Sequence, residues 1–206
     1  MLARVGGLRS TDAGILRGPR SAGLHSEPVN TDGRTHHMID KTLRDAFIDE
    51  LRDAFDAERQ ILKALPKMVR KASSPHLRAA FSTHLEETKG QVRRLQDAFG
   101  VIGEKVRGKH CDGMAGILKE GASMMEEEFD DATMDACLIA AAQRVEHYEM
   151  AAYGTLIAWA KALGEKRIVR LLEHTLKQEN SADKKLTGLA EDGINQAAAS
   201  GSADAE

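Results

Sequence analysis

Residues 140–159 read "AAAQRVEHYEMAAYGTLIAW". Small and aliphatic residues recur here at three- and four-residue spacing, the pattern of a helix facing a core. The stripe is Leu138, Ala142, Val145, Ala152, Leu156, Ala160 and Leu163. Successive residues turn by about 100° around a helix, which puts Glu149 in the middle of that stripe and Glu146 at its edge one turn earlier. Nothing in the surrounding run of alanines, aromatics and aliphatics can neutralise a carboxylate. The stretch therefore sets a physical problem as well as predicting a helix.

The same problem recurs in other segments. A helical pattern from about Asp40 to Lys71 has the stripe Phe47, Leu51, Ala54, Ile61, Leu62, Leu65 and Val69, and Glu58 falls within it. A pattern from about Glu165 to Ala190 has the stripe Ile168, Leu172, Leu176, Leu186 and Ala190, with Glu179 and Asp183 central and stacked at i, i+4. A further pattern opens after "SSP", with Ser74 as cap and Pro75 in the first turn, and runs to about Phe99. Its stripe is Phe81, Leu85, Val92, Leu95 and Phe99, bordered by His84, Glu87 and Gln91.

A single acid on a core face has an ordinary explanation at the rim or beside a buried arginine. Three helices that each carry a mid-stripe acid, with no Lys or Arg at those central positions, need another one. Uncompensated carboxylates in a bundle core cost several kcal/mol each. They must take up protons, share them, or bind cations. Divalent cations meet the need best, and oxygen-rich sites suit Fe, Mn, Mg or Ca.

The rest of the chain bounds this reading. With 206 residues there is room for one domain with tails. A net charge of −3, without a basic patch interleaved with aromatics, argues against nucleic acid as a partner. No run approaches eighteen apolar residues, so no membrane span is expected. Cys111 and Cys137 form no close-spaced metal motif and suit a reducing, cytoplasmic setting. Residues 1–38, rich in Gly, Ser, Arg and Pro, read as a disordered arm without a secretory apolar core. Residues 39–190 read as the folded domain and 191–206 as a disordered tail. Strand periodicity is absent. Pro66 is expected to kink or end the last turns of the first helix. A Gly-rich connection, "GVIGEKVRGKHCDG", leads to a short amphipathic helix around Met114–Glu126. The fold class is all-α: a four-helix bundle with that short extra helix in the crossover between the second and third long helices.

The two halves also repeat. Aligning "YEMAAYGTL" with "AERQILKAL" matches Glu149 to Glu58, an offset of 149 − 58 = 91. Aligning "QENSAD" with "EETKGQ" matches Glu179 to Glu87 and Asp183 to Gln91, an offset of 92 in both cases. Each half supplies a Glu from its first helix, and a Glu plus a polar residue four positions on from its second. That is the plan of ferritin-like di-metal proteins. Glu146 breaks the repeat, since Phe55 is its aligned residue.

"DELRDAFDAERQILKALPKM", "HLEET", "KHCDGMAGIL", "AAAQRVEHYEMAAYGTL" and the "QEN.AD" turn resemble the YciE/YciF family of bacterial ferritin-like proteins over about residues 40–190. The resemblance implies a ferritin-like four-helix fold, a homodimer and a di-iron or di-manganese centre in a stress-response protein. Its metal ligands would be Glu58, Glu87, Glu146, Glu149, Glu179 and Asp183. The expected activity is oxidation of Fe(II) or consumption of a small oxidant, O2 or H2O2; the alternative is a non-catalytic metal-binding or structural helical dimer. One departure stands out. Relatives often read "ETEGHV" where this chain has "ETKGQV", so Gln91 offers only an amide oxygen, and either the second half-site is weaker or His84 substitutes. His147 is expected in a surface or outer role. Tyr153 is expected to pack in the core, with a hydrogen bond to a ligating carboxylate as the alternative.

Overall fold

The computed structural model describes residues 40–201. The arm expected at 1–38 lies outside them. Five helices make up the body: α1 (Leu43–Lys71), α2 (Pro75–Val101), α3 (Asp112–Met124), α4 (Asp131–Ala162) and α5 (Lys166–Leu189). There is no strand among the described residues.

The helix starts follow local chemistry. Thr42 and Asp45 form a reciprocal capping box at α1, so two otherwise orphaned N–H groups find oxygen acceptors. Ser74 accepts from Leu77 N and Pro75 fills the first position of α2, where its missing N–H costs nothing. Asp130 caps α4 through Thr133 N. Pro66 lies inside α1, and the helix continues past it to Lys71.

The long helices pair as two hairpins, α1 with α2 and α4 with α5; α2 also packs on α5 and α1 on α4. The hairpins differ from a simple up-and-down bundle because α2 and α4 run in the same direction. Both begin beside one apolar cluster (Leu77, Phe81, Met134, Leu138) and end beside another (Leu95, Phe99, Leu156, Ala160). The crossover that makes this possible is tied along α1. Lys109 N donates to Arg52 O at 3.1 Å, Cys111 N to Asp56 Oδ2 at 3.1 Å, and Gln60 Nε2 to Cys111 O at 3.1 Å. Helix α3 then lies against α4 and α1. Gly113, in its first turn, is placed by close approach: a Cβ there would sit 2.7 Å from the Tyr148 ring.

The tail expected to be disordered from residue 191 is helical instead as far as Gly201. A π-helical turn (Ala190–Ile194), with Gly193 at φ 148°, joins α5 to a short helix α6 (Asn195–Gly201). Helix α6 packs against α4, and Leu189, Ala190 and Ile194 add to the apolar cluster at that end. The alanine-rich composition there hid an ordinary helix with good intrinsic propensity.

The core has two layers. One holds Ile61, Leu65, Met68, Leu77, Phe81, Leu138, Val145 and Leu186, and the other Phe47, Leu51, Phe55, Leu95, Phe99, Tyr153, Leu156 and Leu172. Each long helix passes from one layer to the other, and each carries buried polar residues at that passage: Glu58 on α1, His84 and Gln91 on α2, Glu146 and Glu149 on α4, and Glu179 on α5.

Candidate metal centre

Between the two layers, His84, Glu146, Glu149 and Glu179 each present a ligand atom, and these atoms all lie within 4.8 Å of one another. All four residues are buried, Glu179 completely. His84 Nε2 lies 3.4 Å from Glu146 Oε1 and 3.8 Å from Glu179 Oε2. Glu58, 1% exposed, stands against this group, and its charge bears on Glu149. Glu146 likewise feels the Glu179 charge. Carboxyl groups this close titrate as a coupled set in the metal-free site.

Burial is the main cause of the titration shifts. It pushes the Glu58 carboxyl from 4.5 up to about 8, with the Glu179 charge adding to it. Glu146 and Glu149 are driven well above the carboxylate range, first by burial and then by neighbouring acids. Glu179 is raised by burial, with the His84 charge working against it. Four buried glutamates whose charged forms are all disfavoured do not help the fold to form as they stand.

The hydrogen-bond ledger points the same way. Glu58 Oε2, Glu146 Oε2, both oxygens of Glu149, Glu179 Oε2 and both ring nitrogens of His84 are buried without a hydrogen-bond partner. Native interiors rarely leave such atoms unsatisfied, and a local concentration of them marks a bound group. The donor set, carboxylate oxygens with one imidazole, suits iron or manganese. The residues therefore fit a metal centre.

Supporting contacts orient the set. Tyr153 Oη donates to Glu58 Oε1 at 2.5 Å, which realises the alternative expected for Tyr153 while its ring remains buried. Gln91 Nε2 donates to Glu179 Oε1. Its amide thus faces the site as a donor to a carboxylate of the cluster, and His84, two turns earlier on α2, supplies the imidazole. Arg94, held by Thr175 Oγ1 at 2.9 Å and by Gln178 Oε1, brings a positive charge to bear on Glu58 and Glu179. The sequence reading missed Arg94. It looked only for cations at the stripe centre, whereas this one reaches the site from the flank with a long side chain.

Two expected ligands stand apart from the cluster. Glu87 is one-third exposed, and its Oε2 lies 3.6 Å from His84 Nδ1. That histidine holds the Glu87 carboxyl below its usual range. Glu87 thus sits behind His84, on the Nδ1 side of the ring. Asp183 is at the rim: Gln143 Nε2 donates to its Oδ1 at 3.0 Å, and His147 Nε2 lies 3.2 Å from the same oxygen. The repeat matched Glu87 with Glu179 and Gln91 with Asp183, but α5 buries the first of its pair and α2 the second. The half-sites are therefore unequal, with His84 and Glu146 supplying the asymmetric donors.

Fold and site together define a class: a ferritin-like, all-α bundle with a histidine–carboxylate cluster between two apolar core layers. The chain belongs to the DUF892 family (domain of unknown function), whose model matches residues 42–199. It is 42% identical over 159 residues to protein YciF of Escherichia coli (strain K12), across 77% of this chain and 96% of that protein. Among solved structures it is similar to the E. coli stress protein YciF, with a TM-score of 0.73 and 41% identity over 76% of this chain and 99% of that one. YcfI from Rhodopseudomonas palustris matches with a TM-score of 0.71 and 42% identity over 74% and 98% of the respective chains. A Xanthomonas campestris protein shares the fold at 22% identity, with a TM-score of 0.61 over 77% and 97%.

Proposed function

We propose that this chain is a di-metal carboxylate protein of the bacterial stress response that oxidises Fe(II) or consumes peroxide at its bundle centre. The observation that carries the reading is the set of buried, partnerless ligand atoms on His84, Glu58, Glu146, Glu149 and Glu179. Four ionised glutamates carry four negative charges, which two divalent iron or manganese ions would balance. The stress context rests on the likeness to the E. coli stress protein YciF.

Bound ions would supply Lewis acidity and one-electron redox chemistry toward O2 or H2O2. The chain's own residues do the rest. Glu58, Glu146, Glu149, Glu179 and His84 hold the ions, and the same carboxylates accept protons when the ions leave. Tyr153 and Gln91 fix Glu58 and Glu179 through one oxygen each and leave the second free. The two apolar layers flank the cluster and limit its access to water. We propose a cytoplasmic homodimer as the working form.

Metal analysis of protein purified without added metal, beside a Glu58→Ala/Glu179→Ala variant, tests the site. Iron or manganese is expected in the first and a strong loss in the second; equal contents remove the proposal. Stopped-flow absorbance of Fe(II)-loaded protein mixed with O2 or H2O2 then tests turnover. Oxidation no faster than that of free iron would leave a storage or structural protein.

A further inference from the structure

A cavity of about 130 Å³ lies beside the cluster, bounded by α1, α2, α3, α4 and α5. Its walls are mainly apolar, with Leu65, Phe81, Ala142, Val145 and Leu186 among them. One side is different: His84, Glu87 and Glu146 line it, and they come from the cluster or stand directly behind it. Exposed Ser181 and Lys185 lie on its border, so the space reaches solvent there.

Protein interiors are close-packed, and voids larger than a water molecule are few. An enclosed apolar cavity of about 150 Å³ takes up benzene, and this one, open to solvent at one side, is of similar size. Water finds partners only on the polar side, and the apolar walls offer it none. Of the polar residues that line it, two are buried: Glu146 has an oxygen, and His84 both ring nitrogens, without a hydrogen-bond partner. A mostly apolar concavity with a few convergent polar groups at one side is the form small-molecule sites take.

We propose that the cavity binds a small apolar organic molecule, of about the size of a benzene ring, against the His84–Glu146 side of the cluster. This names the class of compound that meets the site from that side: uncharged, compact and apolar, in place of a charged metabolite. Binding itself needs only the cavity; what the bound molecule meets rests on the proposed metal centre.

The test uses the full chain with benzene as probe, followed by ligand-observed NMR, and benzoate as the charged comparison. Saturable benzene binding is expected, with benzoate binding far more weakly. Ala142 and Ala64 both line the space; Ala142→Leu and Ala64→Leu each place a larger side chain in it, and each should weaken benzene by about tenfold or more. Circular dichroism identifies a variant that has failed to fold, and either variant alone suffices. The Glu58→Ala/Glu179→Ala variant alters residues outside the cavity lining and should keep benzene binding while losing metal. Metal without benzene binding would overturn this proposal alone, and benzene binding without metal would overturn the metal reading alone. Unchanged affinity in both folded Leu variants would also overturn it. So would failure of benzene to bind while the Leu variants fall from dimer to monomer in sedimentation, since the cavity would then be a contact between copies.

Discussion

Tyr153 shows how much one hydroxyl can contribute at a buried acid. Its Oη donates to Glu58 Oε1 at 2.5 Å, and that bond holds the Glu58 carboxyl lower than burial alone would. Tyr153→Phe keeps the ring in the core and deletes only the donor. Glu58 should then titrate higher still, and the metal-free protein should lose about 1 kcal/mol at neutral pH. Thermal denaturation of the two proteins checks the stability, and a metal titration should show weaker binding because Glu58 is harder to ionise. An unchanged melting temperature together with unchanged metal affinity would remove the orienting role. At this scale the sequence was partly legible. Glu58, Glu149 and Glu179 declared themselves because each interrupts an apolar stripe. Glu87 and Asp183 lie outside the buried cluster because a repeat relates positions along the chain, whereas burial depends on how each helix is rotated. Gln91 read as a weak ligand, and its donor bond to Glu179 could be seen only once α2 and α5 were packed together.

Among the elements, the α1–α2 turn owes its shape to a residue on a third helix. Asp135, buried in the first turns of α4, accepts from Ser73 N at 2.8 Å and Ser74 N at 2.7 Å. The carboxylate thus satisfies backbone donors at the start of α2 and ties the two hairpins together. Asp135→Ala leaves both N–H groups without that acceptor in a part-buried turn, at a cost of about 2–3 kcal/mol. Denaturant unfolding measures it, and a loss below about 0.5 kcal/mol would mean that water replaces the carboxylate there. The helices themselves were legible because caps and periodicity are local: Ser74, Pro75 and the stripe of α4 each mark their element unaided. Asp135 was not, since a polar residue early in a helix has nothing in sequence to announce a partner sixty residues away. The end of the bundle was misread for a related reason. Alanines from Asn195 onward carry no amphipathic signal, and only α4 gives α6 a surface to pack on.

For the whole molecule, the cluster makes stability depend on pH with a sign that metal should oppose. In the metal-free protein Glu58 titrates at about 8 in place of 4.5, and Glu146, Glu149 and Glu179 shift the same way. Between those two values the folded state keeps a proton that the unfolded chain has released. Folding therefore takes up protons there, and stability falls as pH rises from 4.5 to about 8. Bound cations displace the same protons, so metal affinity should rise over the interval in which the metal-free fold weakens. At a free Mn(II) concentration about a hundredfold above its dissociation constant, the gain is about 2.7 kcal/mol. In a domain of this size that corresponds to roughly 5–11 °C in melting temperature. Differential scanning calorimetry across the interval, with and without Mn(II), should show a falling metal-free curve and a gap that widens toward the alkaline end. Glu58→Gln, which carries no titrating group, should flatten part of the metal-free slope. A metal-free melting temperature that rises with pH would mean that the four glutamates are already neutralised by other means, and the physical case for cations at the centre of the bundle would fall with it.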